Sequence, residues 1–162
     1  MRAEWIVRRR IRAGDVGAVT RLHGILYAAE YGYDATFEAY VAGGLADFVE
    51  SFRPKRERIW LVEAADRLIG SVAIVGRSAT VAQLRWFLVD PGFRGRGIGG
   101  RLLTSALRFC RSRRYRRVFL WTTDELKEAG RLYARFGFRK TEEKTHTIWG
   151  KRVTEQRYDL RL

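Results

Sequence analysis

From Asp90 to Leu103 the chain reads DPGFRGRGIGGRLL, and the types and spacing of these residues suit one task, the gripping of an anion. An apolar run (Leu84, Trp86, Phe87, Leu88, Val89) reaches a turn at Asp90-Pro91, and Gly95, Gly97, Gly99 and Gly100 follow. Helical spacing then begins without delay at Ile98, Leu102, Leu103, Ala106 and Leu107. A strand that hands a glycine-rich loop straight to a helix start aims several backbone N–H groups, and the positive end of the helix dipole, at one point. The glycines let the backbone close on a phosphate, and Arg94, Arg96 and Arg101 add charge around it.

Spacing separates the phosphate loops that share this outline. A Walker A loop ends in Gly-Lys-Ser/Thr, whereas no lysine lies between Lys55 and Lys127, which argues against nucleotide hydrolysis. Gly95, Gly97 and Gly100 satisfy the dinucleotide pattern G-x-G-x-x-G, but the acid expected about twenty residues later is missing, since Arg116 to Leu120 stand there. Too little chain follows to complete that sheet.

Arg94-Gly95-Arg96-Gly97-Ile98-Gly99 instead resembles the R/Q-x-x-G-x-G/A loop of the GCN5-related N-acetyltransferases. A second block, Ala129 with Leu132-Tyr133-Ala134-Arg135-Phe136-Gly137-Phe138, resembles the family's A-x-x-L-Y-x-x-x-G-F segment, in the right order and about thirty residues on. The resemblance extends over nearly the whole chain. It is nearest to the acetyltransferase halves of proteins with a MarR-type DNA-binding domain upstream, through His23 to Tyr27, Glu30-Tyr31-Gly32, Leu120 to Thr123 and the ending Val153 to Leu162. The chain is therefore expected to be the enzyme half standing alone, a single domain over residues 1–162.

The resemblance implies acetyl-CoA as cosubstrate and direct attack by a primary amine in a ternary complex. It assigns the backbone of Leu88 and Val89 to the acetyl group, the loop Arg94, Gly95, Arg96, Gly97, Ile98, Gly99 and Gly100 to the coenzyme's diphosphate, and Tyr133 to the leaving thiolate as general acid. A phenol of ordinary pKa about 10 is protonated at neutral pH and can fill that role. Making the neutral amine at pH 7 costs about 4.6 kcal/mol for a pKa near 10.4, so a base or a wet channel is needed. Relatives often carry a glutamate for this on the fourth strand, but Gln83-Leu84-Arg85-Trp86-Phe87 contains no acid. Glu30, beside Tyr27 and Tyr31 near the expected acceptor cleft, is the candidate base, with Asp34 and Glu38 as weaker options. Leu126 stands where the family often has an asparagine that contacts pantetheine, and Thr122 or Thr123 is the candidate substitute, with Thr123 taken as cofactor-binding. His23 and His146 have no second His or Cys at metal-ligand spacing, so no metal is expected.

The elements that must hold these groups are legible in outline. Trp5 to Ile11 reads as a first strand; Asp15 caps an amphipathic helix to about Tyr31; and Asp34 caps a second helix stopped at Arg53-Pro54. Ile59 to Ala64, Leu68 to Gly76 and Val81 to Val89 read as strands, Arg116 to Thr122 as a central strand, and Asp124 to Gly137 as a helix with its stop. Phe138 to Trp149 and Val153 to Leu160 form a final strand pair. The order β-α-α-β-β-β-α-β-α-β-β is the one the resemblance implies: an α/β fold with a mixed central sheet and helices on both faces.

Composition bounds the rest. The chain has 162 residues, 46% of them hydrophobic and 13% aromatic, enough for one core without disorder. No apolar run approaches bilayer length and the N-terminus lacks a signal-peptide core, while Cys110 is the lone cysteine, so the chain reads as cytoplasmic with no membrane partner. Five of the 32 basic residues are lysine, and the arginines are dispersed apart from Arg8 to Arg10 and Arg111 to Arg117. The net charge of +14 keeps a rival open, a basic coenzyme-binding or nucleic-acid-associated module of the same fold, but a solvated basic face is the commoner meaning of such runs. It also disfavours free polyamines as acceptors and favours an amine with its own negative group, on a small molecule or a protein. A homodimer and a bulkier acyl donor stay open.

Overall fold

The computed structural model describes residues 4–162. Its elements run β1 (Ile6–Arg8), α1 (Asp15–Tyr31), α2 (Ala35–Glu50), β2 (Arg58–Ala64), β3 (Arg67–Gly76), β4 (Val81–Val89), α3 (Ile98–Ser112), β5 (Arg117–Thr123), α4 (Lys127–Arg135), β6 (Arg139–Ile148) and β7 (Lys151–Arg161), with a single 3-10 turn at Pro91–Phe93. The expected order is thus observed in full. The strands form one sheet in the order β1-β2-β3-β4-β5-β7-β6, antiparallel throughout except for β4 against β5.

Period-two alternation divides the strands between two cores. Along β2, Trp60 and Val62 face α3 and α4 with Ile98, Leu102, Leu103 and Tyr133. Ile59 and Leu61 face α1 and α2 with Val19, Phe37, Val41, Leu45 and Phe48. Both faces of the sheet are therefore covered, as a buried parallel crossover requires.

Some boundaries differ from the sequence expectation for local reasons. β1 is only three residues long because it pairs β2 only from Ile6 to Arg8. Asp15 is the first residue of α1, not its cap; the cap is Gly14 at φ +91°, and the Asp15 carboxylate pairs with Arg8 at 2.7 Å. Asp34 does cap α2, accepting from the Thr36 N–H at 2.9 Å. α4 begins at Lys127, three residues after Asp124.

One departure from regularity matters most. β4 pairs β5 only from Val81↔Arg117 to Gln83↔Phe119, although both strands continue, so they part beyond Gln83. On its other edge β4 holds an extra residue against β3, for Ala73 pairs Arg85 while Ser71 pairs Leu88. This bulge contains Trp86 at φ +49°, a conformation costing an L-residue about 1–2 kcal/mol. Packing of the indole against Phe48, at 5.5 Å between ring centroids, offsets that strain. The fully buried Ser71 hydroxyl also donates to the Trp86 carbonyl at 2.6 Å. Ser71→Ala is expected to destabilise the fold by about 1–3 kcal/mol, read by denaturant unfolding, because it strands a buried carbonyl. An unchanged midpoint would show that the clasp holds nothing.

Candidate active site

Where β4 and β5 part, the gap opens on two cavities that meet at Tyr27, Phe87 and Leu126. The outer groove, of about 740 Å³, runs between the loop after β4 and helix α4. The inner cleft, of about 110 Å³, lies toward α1, α2 and the β6–β7 hairpin.

The loop from Arg94 to Gly100 forms one wall of the outer groove. Gly95 at φ +74° and Gly97 at φ +79° supply the left-handed conformations that turn the chain into α3. Among the described residues, no acceptor engages the N–H groups of Gly95, Arg96, Gly97, Ile98, Gly99 or Gly100. Six consecutive free donors at a helix start form an anion cradle in the sense read from the sequence.

The backbone of β4 above them is also sorted. Asp90 N–H donates to Ile69 O at 2.7 Å, toward β3. By strand alternation Leu88 also directs its amide toward β3, while Val89 turns its N–H and C=O to the open edge, where the carbonyl accepts from Arg94 Nε at 2.9 Å. Of the two residues expected to offer an amide to the acetyl group, Val89 has it on the gap.

The arginines of the loop are staples more than free charges. Arg94 forms a two-pronged pair with Glu30, at 2.9 and 3.1 Å, and Arg96 donates to the Gly92 carbonyl at 3.2 Å. The cations that sequence reading missed are Lys127, Arg131 and Arg135, which line the outer groove from α4 and pair with no carboxylate among the described residues. Their i, i+4, i+8 spacing was the available signal. Like charges so placed weaken a helix by a few tenths of a kcal/mol per pair, which an anion in the groove would relieve.

Tyr133 lines the inner cleft. Its ring is 4% exposed, packed against Phe87, Phe138 and Tyr158 at centroid distances of 5.9, 5.9 and 6.0 Å. Its hydroxyl has no hydrogen-bond partner among the described residues, and burial pushes its pKa up, so the phenol keeps its proton. Tyr27, at the junction of the cavities, is likewise pushed up, by burial and then by the neighbouring Tyr133.

Other expected site residues separate. Glu30 and Tyr31 line the outer groove and not the inner cleft, and burial and the adjacent Glu30 push Tyr31 up to about 12. Both Glu30 oxygens are taken by Arg94, so the structure puts Glu30 with the loop in the outer groove, apart from the inner cleft that Tyr133 lines. Asp34 is spent on the cap of α2, and Glu38 packs beside Gly24 of α1, where an added Cβ would stand 2.6 Å from its Oε1. Thr123, expected on the coenzyme, is in the inner cleft, its hydroxyl accepting from Tyr33 at 3.2 Å. Thr122 Oγ1 and His23 Nε2, of residues lining the same cleft, are buried without a partner. Burial lowers the His23 pKa to about 4 and keeps the ring neutral. Glu155 of β7, not singled out from sequence, is the one carboxylate among the residues lining the inner cleft.

Comparisons with known proteins agree with this geometry. The model of the acetyltransferase (GNAT) family matches residues 25–138, well over half of the chain. An uncharacterised N-acetyltransferase of Escherichia coli is 29% identical over 136 residues, 82% of this chain and 81% of that protein. Another, from Methanocaldococcus jannaschii, is 44% identical over 62 residues, and the match spans only 27% of its length. Among solved structures, yncA of Salmonella typhimurium, determined with its cofactor acetyl-CoA, superposes with a TM-score of 0.72 at 15% identity, covering 97% of this chain and 93% of that one, a likeness that carries the fold.

The ion pair yields a discriminating test. If Glu30 only steadies Arg94, Glu30→Gln is expected to change loop affinity for its anionic ligand about fivefold or less and leave kcat within about twofold. A base at Glu30 would instead cost 10²-fold or more in kcat, which steady-state kinetics separates.

Proposed function

The chain belongs to the GNAT acetyltransferase family, and from that premise we propose that it moves the acetyl group of acetyl-CoA to a primary amine, by direct attack while both are bound. The observation that carries this reading is the run of six free amides at the open end of the β4–β5 gap, with an unpartnered, protonated Tyr133 just inside it. The residues fit the coenzyme: the amides from Gly95 to Gly100 would hold its diphosphate, and Lys127, Arg131 and Arg135 answer its remaining negative charge. Acetyl-CoA, when bound, supplies a thioester carbonyl for the amine to attack and a thiolate to depart.

The chain's own groups do the rest. The Val89 N–H is free to polarise the acetyl carbonyl and to bond the oxyanion as it develops. Tyr133 gives its proton to the departing sulfur, and burial, by raising its pKa, keeps that proton in place at neutral pH until the thiolate departs. The acceptor, a small molecule or a protein amine, enters from the α1–α2 side through the inner cleft. The lone Cys110, buried and with its thiol pushed up to about 12 by burial, is unsuited to a covalent acetyl intermediate and accords with a cytoplasmic setting.

Tyr133→Phe is expected to lower kcat on the order of 10²-fold while coenzyme affinity, by calorimetry, stays within twofold. In the wild type, kcat/KM should rise with pH as the amine loses its proton, with no falling limb below about pH 10, because burial raises the tyrosine's pKa. A falling limb near neutrality, or full activity in the phenylalanine variant, would contradict the assignment. Arg131→Glu should weaken CoA binding roughly tenfold with kcat at saturation unchanged, and unchanged affinity would remove α4 from the coenzyme site.

A further inference from the structure

We infer that the inner cleft is built for an amine that carries its own carboxylate, with Arg85 holding the carboxylate and Glu155 facing the amine. This rests on the acetyl-transfer reading and adds the class of acceptor.

Arg85 lies on β4 just before the bulge and lines the inner cleft. Its guanidinium lies over the Trp86 ring at 4.5 Å and near the Tyr40 ring at 5.6 Å, and Nη2 donates to the Tyr40 hydroxyl at 3.1 Å. No carboxylate among the described residues pairs with it. A second cation stands near, for Arg77, held by Gln83 Oε1 at 2.8 Å, is lowered in pKa by burial and then by the Arg85 charge. An oriented guanidinium with another positive charge behind it and no internal acid is an anion site.

Helix α2 is shaped to that side chain. Gly43 and Gly44 sit together in its interior, where each costs about 1 kcal/mol relative to alanine. A Cβ on Gly44 would stand 3.1 Å from Arg85 Nη2, 3.2 Å from Nη1 and 3.1 Å from Trp86 Cζ2, so Gly44 keeps the space in which the guanidinium lies against the helix. A local rule is broken where the fold needs room for one charged group.

Glu155 supplies the opposite pole. Its register partner is Thr123 at the end of β5, which brings it to the cleft. Oε2 is held by His146 Nε2 at 2.6 Å, with Lys144 Nζ at 3.7 Å, and Oε1 has no partner among the described residues. β4 carries no acid and Glu30 is committed to Arg94, so Glu155 is the carboxylate left in the cleft to take the proton of an ammonium before attack, which frees the nitrogen lone pair to form the N–C bond as the C–S bond breaks. The cleft's volume of about 110 Å³ equals roughly four water molecules, which suits a short zwitterion and leaves the second cation of a polyamine beside Arg85.

The test uses thiol release from acetyl-CoA with α-, β- and γ-amino acids, each compared with the amine in which methyl replaces the carboxylate. The wild type is expected to prefer the carboxylated member of at least one pair. Arg85→Met should cut that preference roughly 10- to 100-fold in kcat/KM. Tyr40→Phe, at a residue 52% exposed and thus safe for folding, should cut it a few-fold in the same direction. Glu155→Gln should lower both members of a pair alike. Equal rates within every pair in the wild type, equal losses on both members in Arg85→Met, or no turnover of any amine by coenzyme-loaded protein would overturn the inference. Failure of the protein to bind CoA would count against acetyl transfer itself.

Discussion

The parting of β4 from β5 after Gln83 is the constraint on which the rest of the structure depends. Two paired strands would use their facing N–H and C=O groups on each other, and no ligand could reach them. The bulge at Trp86 turns the end of β4 away, and the Ser71 hydroxyl and the packed indole hold a backbone conformation that an isolated strand would leave. From this one break follow an amide of Val89 facing the gap, a wedge wide enough for two cavities, and a loop that leaves β4 at an angle suited to open α3 with its donors free. The strain at Trp86 belongs to the site, and the surrounding core maintains it.

Charge is distributed around that wedge in a consistent way. The outer groove gathers cations on α4 and free amides on the loop; of its acids, Glu30 is spent on fixing Arg94 and Glu125 pairs with Lys151, while Glu128 also lines it. The inner cleft is aromatic, with Tyr33, Phe37 and Trp149 packed at centroid distances of 5.0 to 5.2 Å, and holds one unpaired guanidinium and one half-engaged carboxylate. Both cavities thus hold cations that no carboxylate among the described residues pairs with. The two also differ in kind: the outer one offers backbone donors that no substitution except proline removes, the inner one offers side chains by which specificity can change.

The sequence made the loop and α4 legible because both depend on local rules, glycines where positive φ is needed and an apolar stripe ended by Gly137. The element order followed from hydrophobic periodicity and turn residues in the same way. The resemblance implied a bulge in the fourth strand, but its place at Trp86 was not legible from residue types, since Arg85-Trp86-Phe87 carries no glycine to mark a left-handed residue and tertiary packing imposes it. The Glu30–Arg94 pair was not legible, because nearness in sequence to Tyr27 and Tyr31 says nothing of Arg94, which the fold brings to Glu30 from 64 residues away. The places of Glu155 and Arg85 in the inner cleft were not legible for a related reason: one reaches the cleft through the register of β7 on β5, the other lies against α2. Local chemistry can be read in one dimension, but pairs made by topology cannot.

The free amides of the loop are the groups on which coenzyme binding depends most directly. Titration of isotope-labelled protein with CoA, followed by amide NMR, should move the resonances of Gly95 to Gly100 and Val89 most, with saturation at a single stoichiometric site. If those amides stay still while others shift, or if no resonance moves at millimolar coenzyme, the cradle is not where the coenzyme binds and the catalytic reading of the wedge is wrong.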